Sequence, residues 1–225
     1  MEEKKTVKFK KDEFSMRESI KKEIGKGKVS KVRIEYTPVG EKIIISTSKP
    51  GLIIGRGGER IDYLTGLLKK EFKLENPHIE IDELKQPDFD AQLAADEIAL
   101  SLEKMGPLKF KVIAYRMLQR IMKAGAMGAE LRLSGKLPST RARTWRFAQG
   151  YLKKTGDSAK VVDRAKAIAQ TKPGVVGVKV AILSPEAKLK DRIVVNEEMI
   201  KKLKENKEKS EEKVKKKTAK KVKKE

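Results

Sequence analysis

The segment Gly55-Arg56-Gly57-Gly58 has the composition of a loop that could hold phosphate. Glycine has no Cβ, so the main-chain amides of such a loop can approach an anion closely, and a helix that begins behind it presents unpaired N–H groups. Arg56 places a positive charge at the tip, and Arg60 follows four residues later. The pattern indicates a contact with the phosphate backbone of a nucleic acid, although Gly-x-x-Gly tetrapeptides also occur in many tight turns.

A second group of cations lies between Lys109 and Ala124, where apolar residues recur at helical spacing. At about 100° per residue, four basic side chains of this segment fall within a narrow stripe. They are Lys109, Arg116, Arg120 and Lys123. The apolar residues that occupy much of the opposite side are Phe110, Ala114, Met117, Leu118, Ile121 and Met122. The stripe predicts a contact with RNA phosphates, and a solvated basic face is the alternative.

A third group of cations precedes and enters a short segment of strand character. Its members are Lys136, Arg141, Arg143 and Arg146. They are interspersed with Ala142 and Trp145 in a manner that predicts one basic face of a strand. Arginine suits phosphate because its planar guanidinium can donate two parallel hydrogen bonds. Trp145 could stack on a base or fill the core, and we favour core packing because few other large residues lie in this part of the chain.

Four carboxylates could in principle hold a magnesium ion for nuclease chemistry. They are Asp88, Asp90, Asp96 and Glu97. Asp88 and Asp90 also lie where a helix begins, and acidic side chains cap free amides there, which is the interpretation we prefer. His78 is the only histidine, and one imidazole without partners builds neither a metal site nor a catalytic triad. The sequence therefore predicts no catalytic residue, no metal site and no cofactor.

The chain as a whole is strongly basic. Its 225 residues carry a formal net charge of +22, which normally implies a polyanionic partner, with nucleic acid the leading candidate. There are no cysteines, which excludes disulfides, thiolate zinc sites and thiol nucleophiles. The sequence contains no run of about 18 apolar residues, the length needed to span a bilayer. Its amino terminus also lacks the apolar core of a secretory signal peptide. We therefore expect a cytoplasmic protein with no membrane partner.

Local spacing predicts the elements that position the glycine loop. Alternating and β-branched runs predict strands at 32–36, 43–47 and 79–82. Apolar residues at helical spacing predict helices at 12–24, 50–54 and 61–72. The order is helix, strand, strand, helix, helix, strand, and the glycine loop lies between the two consecutive helices.

The rest of the chain follows a change of periodicity at residues 85–88, where Pro87 disfavours helix at the preceding residue. Helices are predicted at 91–105 and 109–124, followed by a small sheet from short segments between Gly128 and Ile182. The stretch 158–171 fits either a helix or a strand.

The last 25 residues, from Lys201, contain 13 Lys and 5 Glu, so this segment alone carries +8. Its few apolar side chains could not offset the entropy of ordering it, and we expect a disordered tail. The predicted organisation is a domain at 1–86, a second domain at 87–190 and a basic tail at 191–225.

The glycine loop and its flanking elements resemble a KH domain, in which such a loop clamps the nucleotide backbone. Four later segments resemble the carboxy-terminal domain of the family of small-subunit ribosomal protein three. They are Ser134-Gly135-Lys136-Leu137, Arg141-Ala142-Arg143, Arg146-Phe147-Ala148-Gln149-Gly150-Tyr151 and Gly174-Val175-Val176-Gly177-Val178-Lys179-Val180. The resemblance covers roughly residues 5–185. It points to the archaeal and eukaryotic branch, since the segment after Gly135 lacks the acidic Glu-Trp pattern of bacterial relatives.

The resemblance implies an α+β fold in which a type II KH domain is followed by a second small α/β domain. The disordered Lys-rich tail that the composition predicts has no counterpart in this resemblance. It also implies a non-enzymatic component of the small-subunit head that binds 16S-type ribosomal RNA. The helix from Lys109 would begin near the channel through which messenger RNA enters, and Arg116 matches a basic position there. We therefore expect Arg116 and Arg120 to contact the phosphates of incoming messenger RNA, while Lys109 and Lys123 extend the positive field. Proteins ten and fourteen of the same subunit are the implied neighbours.

Two other functions stay open at this point. A free-standing KH protein could regulate particular messages, although such regulators more often carry repeated KH units, and this chain has one glycine loop. A metal-dependent nuclease could use the four carboxylates, but clustered His and Asp residues are lacking.

Overall fold

The computed structural model describes residues 2–38, 40–72, 74, 76–187 and 189, and the predicted tail at 191–225 lies outside them. Two sheets and the helices that pack on them make up the described chain. The first part comprises α1 (Glu2–Ile24), β1 (Val29–Thr37), β2 (Gly40–Thr47), α2 (Pro50–Ile54), α3 (Glu59–Phe72) and β3 (His78–Glu83). The α+β class and the predicted order of a type II KH domain are confirmed.

The first sheet has the strand order β1-β2-β3, with β2 antiparallel to β1 and parallel to β3. Successive residues of a strand point to opposite faces, so Ile43 and Ile45 share one face and are fully buried there. They form a hydrophobic core with Ile20 of α1 and with Leu64 and Leu68 of α3. This core fixes the position of α3, and therefore of the loop that precedes it.

Helix α1 begins at Glu2, well before the predicted start at residue 12. Met16, Ile20 and Ile24 anchor its second half in the core. The first turns are exposed and rich in Lys and Glu, which favour helix but leave no apolar periodicity to signal it. One aromatic contact supports this end, since the Phe9 and Tyr36 ring centroids lie 4.8 Å apart.

The second part comprises α4 (Ala91–Met105), α5 (Phe110–Lys123), β4 (Gly128–Gly135), β5 (Arg143–Gly150), β6 (Asp163–Thr171) and β7 (Gly174–Leu183). Its strands are all antiparallel to their neighbours, in the order β5-β4-β7-β6. Helix α4 packs on β6 and β7, and α5 packs on β4 and β5. Both helices therefore cover the same face of the sheet, and most residues of the opposite face are exposed or half-buried in the described part of the chain.

Strand β6 resolves the ambiguity of residues 158–171. A 3₁₀ turn, Asp157–Val161, precedes the strand, in which small residues alternate with long polar ones. Ala167 and Ala169 point into the core, while Lys166 and Ile168 are exposed. Small side chains at the core positions let α4 approach the sheet closely.

A polar seam joins the two parts. After α1, the backbone N–H of Gly27 donates to Asp96 Oδ2 at 2.9 Å, and Ser30 Oγ donates to Asp90. Lys26 Nζ donates to Glu103 Oε1 at 3.1 Å and to the carbonyl of Ile168 at 3.0 Å. The boundary predicted at residue 86 falls between β3 and α4, outside this seam.

None of the helices in the described residues is long and apolar enough to cross a membrane.

Candidate nucleic-acid interface

The glycine loop occupies the turn between α2 and α3. Gly55, Gly57 and Gly58 have φ values of 76°, 62° and 88°, a region that side chains other than glycine rarely adopt. Arg56 and Gly57 are exposed, and a Cβ built on Gly57 or Gly58 would meet no atom within 4 Å. The loop therefore leaves open space beside its main-chain amides. That is the geometry a phosphate needs for close approach.

Arg60 supports the loop from below. Its guanidinium donates to the carbonyl of Leu52 at 3.3 Å and to the carbonyls of Glu23 and Ile24 at 3.4 and 3.5 Å, where α1 ends. A Cβ on Gly55 would lie 2.9 Å from the Cβ of Arg60, so the chain requires glycine at this close approach. The structure thus gives Arg60 a positioning role, and a direct contact between Arg60 and RNA stays a prediction.

The charge at the loop tip comes from Arg56. Glu59 and Asp62 lie in the first turn of α3, where they complement the helix dipole and reduce the positive potential that an anion would meet. Arg56, which is exposed, offsets part of this negative charge. Phosphate binding here would rest on Arg56 and on the backbone amides of the loop.

The predicted basic stripe is exposed along its whole length. Lys109, Arg116, Arg120 and Lys123 all face solvent. On the opposite side Phe110, Ala114, Leu118 and Ile121 are buried, together with Ile113 and Met117. The helical spacing therefore predicted the exposed side of α5, and of the residues expected on the apolar side Met122 is only half-buried.

Arg120 differs from the rest of the stripe because it has two carboxylate partners. Its Nη2 lies 2.8 Å from Asp88 Oδ1, and its Nη1 lies 2.9 Å from Glu97 Oε1. These ion pairs tie α5 to α4 and to the 3₁₀ turn that precedes it. RNA phosphate would compete with both carboxylates for this guanidinium, so Arg116 is the better placed contact.

The four carboxylates considered for magnesium have separate structural tasks. Asp90 is the N-cap of α4 and accepts from the N–H groups of Gln92 and Leu93, which confirms the prediction for this residue. Asp88 and Glu97 bind Arg120, and Asp96 accepts from Gly27 across the seam. The described residues contain no group of three or more His, Asp or Glu arranged to hold a metal ion. His78 is exposed at the start of β3.

The prediction of one basic strand face around residue 141 is wrong. Arg141 lies in a bend and Lys136 in the preceding loop, while β5 begins only at Arg143. Strand residues three apart point to opposite faces, so Arg143 and Arg146 diverge. All four of these cations are exposed, but they form no single surface.

Trp145 packs against the core, as we expected. Its ring centroid lies 5.3 Å from that of Phe110, and its Nε1–H donates to the carbonyl of Leu137 at 3.2 Å. The Nζ of Lys111 lies 5.0 Å above the ring. These contacts occupy the indole, and its stacking on a base has no support in the geometry.

Sequence reasoning missed a cluster on the open face of the second sheet. The Glu130 side chain is 5% exposed and binds three cations. Arg132 Nε, Arg146 Nε and Lys154 Nζ lie 2.6, 2.9 and 2.9 Å from its carboxylate oxygens. Burial alone would raise the pKa of Glu130, but hydrogen bonds from Arg146, Lys154 and Arg132 together lower that pKa to about 2. Alternation along β4 places Glu130 beside Arg132, but only the register with β5 brings Arg146 there.

Two known families match successive parts of the chain. Residues 15–89 match the KH domain family, and residues 98–182 match the family described as ribosomal protein S3, C-terminal domain. The first match contains the glycine loop, and the second contains most of α4, all of α5 and nearly all of the second sheet.

Curated relatives carry the name small ribosomal subunit protein uS3. One from Methanocaldococcus jannaschii is 46% identical over 182 residues, 80% of this chain and 86% of the relative. One from Archaeoglobus fulgidus is 41% identical over 202 residues, 89% of this chain and 87% of the relative. One from Natronomonas pharaonis is 37% identical over 183 residues, 81% of this chain but 59% of that longer relative. These relatives confirm the resemblance that the sequence motifs indicated. The chain therefore belongs to the uS3 family of small ribosomal subunit proteins.

Proposed function

We propose that this protein is a structural, non-enzymatic component of the small ribosomal subunit that binds ribosomal RNA. The observation that carries the proposal is the glycine loop, whose open backbone and exposed Arg56 lie at the start of α3 within a uS3 chain. The loop is held from below by Arg60 and from the side by the core of the first sheet. A rigid, solvent-facing loop of this kind binds backbone phosphate without reading sequence.

A contact with messenger RNA is the second part of the proposal. Two observations support this contact. Arg116 lies on the exposed stripe of α5, and a basic residue at this position is what the sequence resemblance leads us to expect near the channel for incoming messenger RNA. Lys109 and Lys123 extend the positive field, and Arg120 fixes the helix against α4. We infer that the neighbours are proteins ten and fourteen of the subunit head and that the protein acts in the cytoplasm.

The decisive experiment is replacement of Arg56 and Gly57 by Asp in the full-length chain. Two negative charges then stand where phosphate would bind, while Asp tolerates positive φ better than most side chains. We expect the affinity for small-subunit ribosomal RNA to fall by about tenfold or more with little change in melting temperature. Filter binding at several salt concentrations measures the affinity.

The matched control is Lys4→Asp with Thr6→Asp, which changes the charge equally on exposed positions of α1. If the loop variant and this control bind ribosomal RNA equally well, the loop does not clamp phosphate. Sedimentation of a lysate tests the assignment to the ribosome. Wild-type protein that fails to sediment with the small subunit at moderate salt would favour a free-standing KH regulator instead.

A further inference from the structure

Four cations form a row across the exposed face of the second sheet. The register pairs Arg146 with Arg132, Arg132 with Lys179, and Lys179 with Lys166. The row therefore crosses all four strands, from β5 at one edge to β6 at the other. Neighbouring strands lie about 4.8 Å apart, so the backbone positions of these four basic residues follow one another at roughly that interval.

This arrangement opposes the stability of the isolated sheet. Like charges at directly opposed cross-strand positions repel each other, and three such pairs lie in one line. Glu130, one row away, accepts hydrogen bonds from Arg132, Arg146 and Lys154. Among the strand residues that the structure describes on this face, it is the only carboxylate. Lys166 and Lys179 stand outside the Glu130 cluster and are exposed. A polyanion on this face would remove the repulsion.

The face also has a concave site. A groove of about 560 Å³ opens on it, lined by Arg132, Lys154, Arg164, Lys166 and Lys179, with Glu130 as the acidic residue of its lining. Gln92 of α4 also lines this groove. Arg132 and Arg146 keep 50% and 53% of their side chains exposed although they are bound to Glu130. Glu130 therefore orients these guanidinium groups without covering them. An anion in the groove would meet preoriented donors.

The chemistry of the face distinguishes two kinds of RNA ligand. Sheets that bind unpaired bases present aromatic side chains on which the bases stack. None of the described strand residues that point to this face is aromatic. Its uncharged members are Gly128, Ser134, Thr144, Ala148, Gly150, Ile168, Gln170, Val175, Gly177, Ala181 and Leu183. We infer that the open face of the second sheet is an additional RNA-binding surface, which takes the sugar–phosphate backbone of double-helical RNA. The inference rests on the proposed function and adds a site to it.

The test uses the full-length chain with Lys166→Glu and Lys179→Glu, and an RNA duplex of about 16 base pairs. We expect the Kd for the duplex to rise by about tenfold or more. The slope of log affinity against log salt concentration should shrink by roughly 2, because about 0.9 is lost for each phosphate contact. The melting temperature should stay close to the wild-type value. The change at position 179 turns the like-charge pair with Arg132 into an opposite-charge pair, while positions 166 and 179 still carry charges of the same sign.

The control is Lys4→Glu with Lys11→Glu, an equal charge change on exposed positions of α1. A Kd for the duplex within about twofold of this control would overturn the inference. Lysine acetylation of the wild-type chain gives a second measurement. Lys166 and Lys179 should lose reactivity when the duplex is bound while Lys4 and Lys11 keep theirs, and equal reactivity with and without duplex would also overturn it. Failure of the wild-type chain to bind any RNA would instead contradict the proposed function.

Discussion

The backbone N–H of Gly27 donates a 2.9 Å hydrogen bond to the carboxylate of Asp96, which links the turn after α1 to the middle of α4. Asp96 is largely buried, and desolvation raises its pKa despite the hydrogen bonds from Gly27 and Gln92. This carboxylate therefore joins the two parts of the chain at the cost of holding a charge away from water. The KH part is attached to the second sheet within the chain itself.

Substitution of Asp96 can separate the hydrogen bond from the charge. Asp96→Asn keeps an acceptor for the Gly27 N–H and removes the desolvated charge, so the free energy of unfolding at pH 7 should stay within about 1 kcal/mol of wild type or increase. Asp96→Ala leaves the Gly27 N–H unpaired and should cost about 1 to 3 kcal/mol. Urea denaturation of both variants provides the measurement. Equal destabilisation by Asn and Ala would show that the ionic form of Asp96 is required.

Glu130 should make stability depend on pH in acid. Its pKa is about 2 in the folded protein and near the ordinary value of 4.5 when unfolded. A depressed folded pKa contributes stability that is fully present above about pH 5 and is lost as the pH falls toward 2. Asp96 has a raised pKa, so its contribution runs in the opposite direction and is lost as the pH rises.

The Glu130→Gln variant isolates the Glu130 contribution from other acidic groups. We expect the variant to be less stable than wild type at pH 7 by roughly 1 to 3 kcal/mol and closer to wild type near pH 2.5. Thermal melts across this pH range measure the difference. A destabilisation that is the same at pH 7 and pH 2.5 would mean that the three cations do not hold Glu130 ionised.

The first half of the fold could be predicted because its signals are local. Ile43 and Ile45 repeat with the period of a strand, Ile61, Leu64 and Leu68 with that of a helix, and the glycines mark the turn between helices. The exposed start of α1 gave no such signal. The opposite faces of Arg143 and Arg146 could have been predicted, since a separation of three residues reverses direction in a strand.

In the second sheet, local sequence patterns could not predict which residues of different strands lie side by side. Arg132, Lys179 and Lys166 share a row only because β4 pairs with β7, and β7 with β6, in one register. The same holds for Arg120, whose carboxylate partners lie on a preceding turn and helix. From their charge alone, Arg116 and Arg120 were expected to have the same role. The ion pairs of Arg120 with Asp88 and Glu97 show that the two residues differ.

Arg120 and Arg116 should differ in their effect on stability. Arg120→Glu brings a third carboxylate beside Asp88 and Glu97 and should destabilise the protein by about 1 kcal/mol or more. Arg116→Glu should change stability by no more than about 0.5 kcal/mol, as for an ordinary surface position. Urea denaturation of the two variants at pH 7 checks this. A larger loss for Arg116→Glu would assign the stripe a structural role.

Arg116→Glu can also test the contact with messenger RNA, because it leaves the ion pairs of Arg120 in place. If Arg116 binds a backbone phosphate of incoming messenger RNA, the reversed charge should weaken retention of the message by roughly fivefold, the equivalent of about 1 kcal/mol for one contact. Subunit assembly should be normal, since the glycine loop is unchanged. Messages with structured downstream regions should be translated least well, because they must be held while they unfold.

Reporter pairs with and without a downstream hairpin provide the measurement, and Lys104→Glu on the exposed side of α4 is the control of equal charge change. A ratio of structured to unstructured translation equal to that of the Lys104→Glu control would exclude Arg116 as a messenger contact.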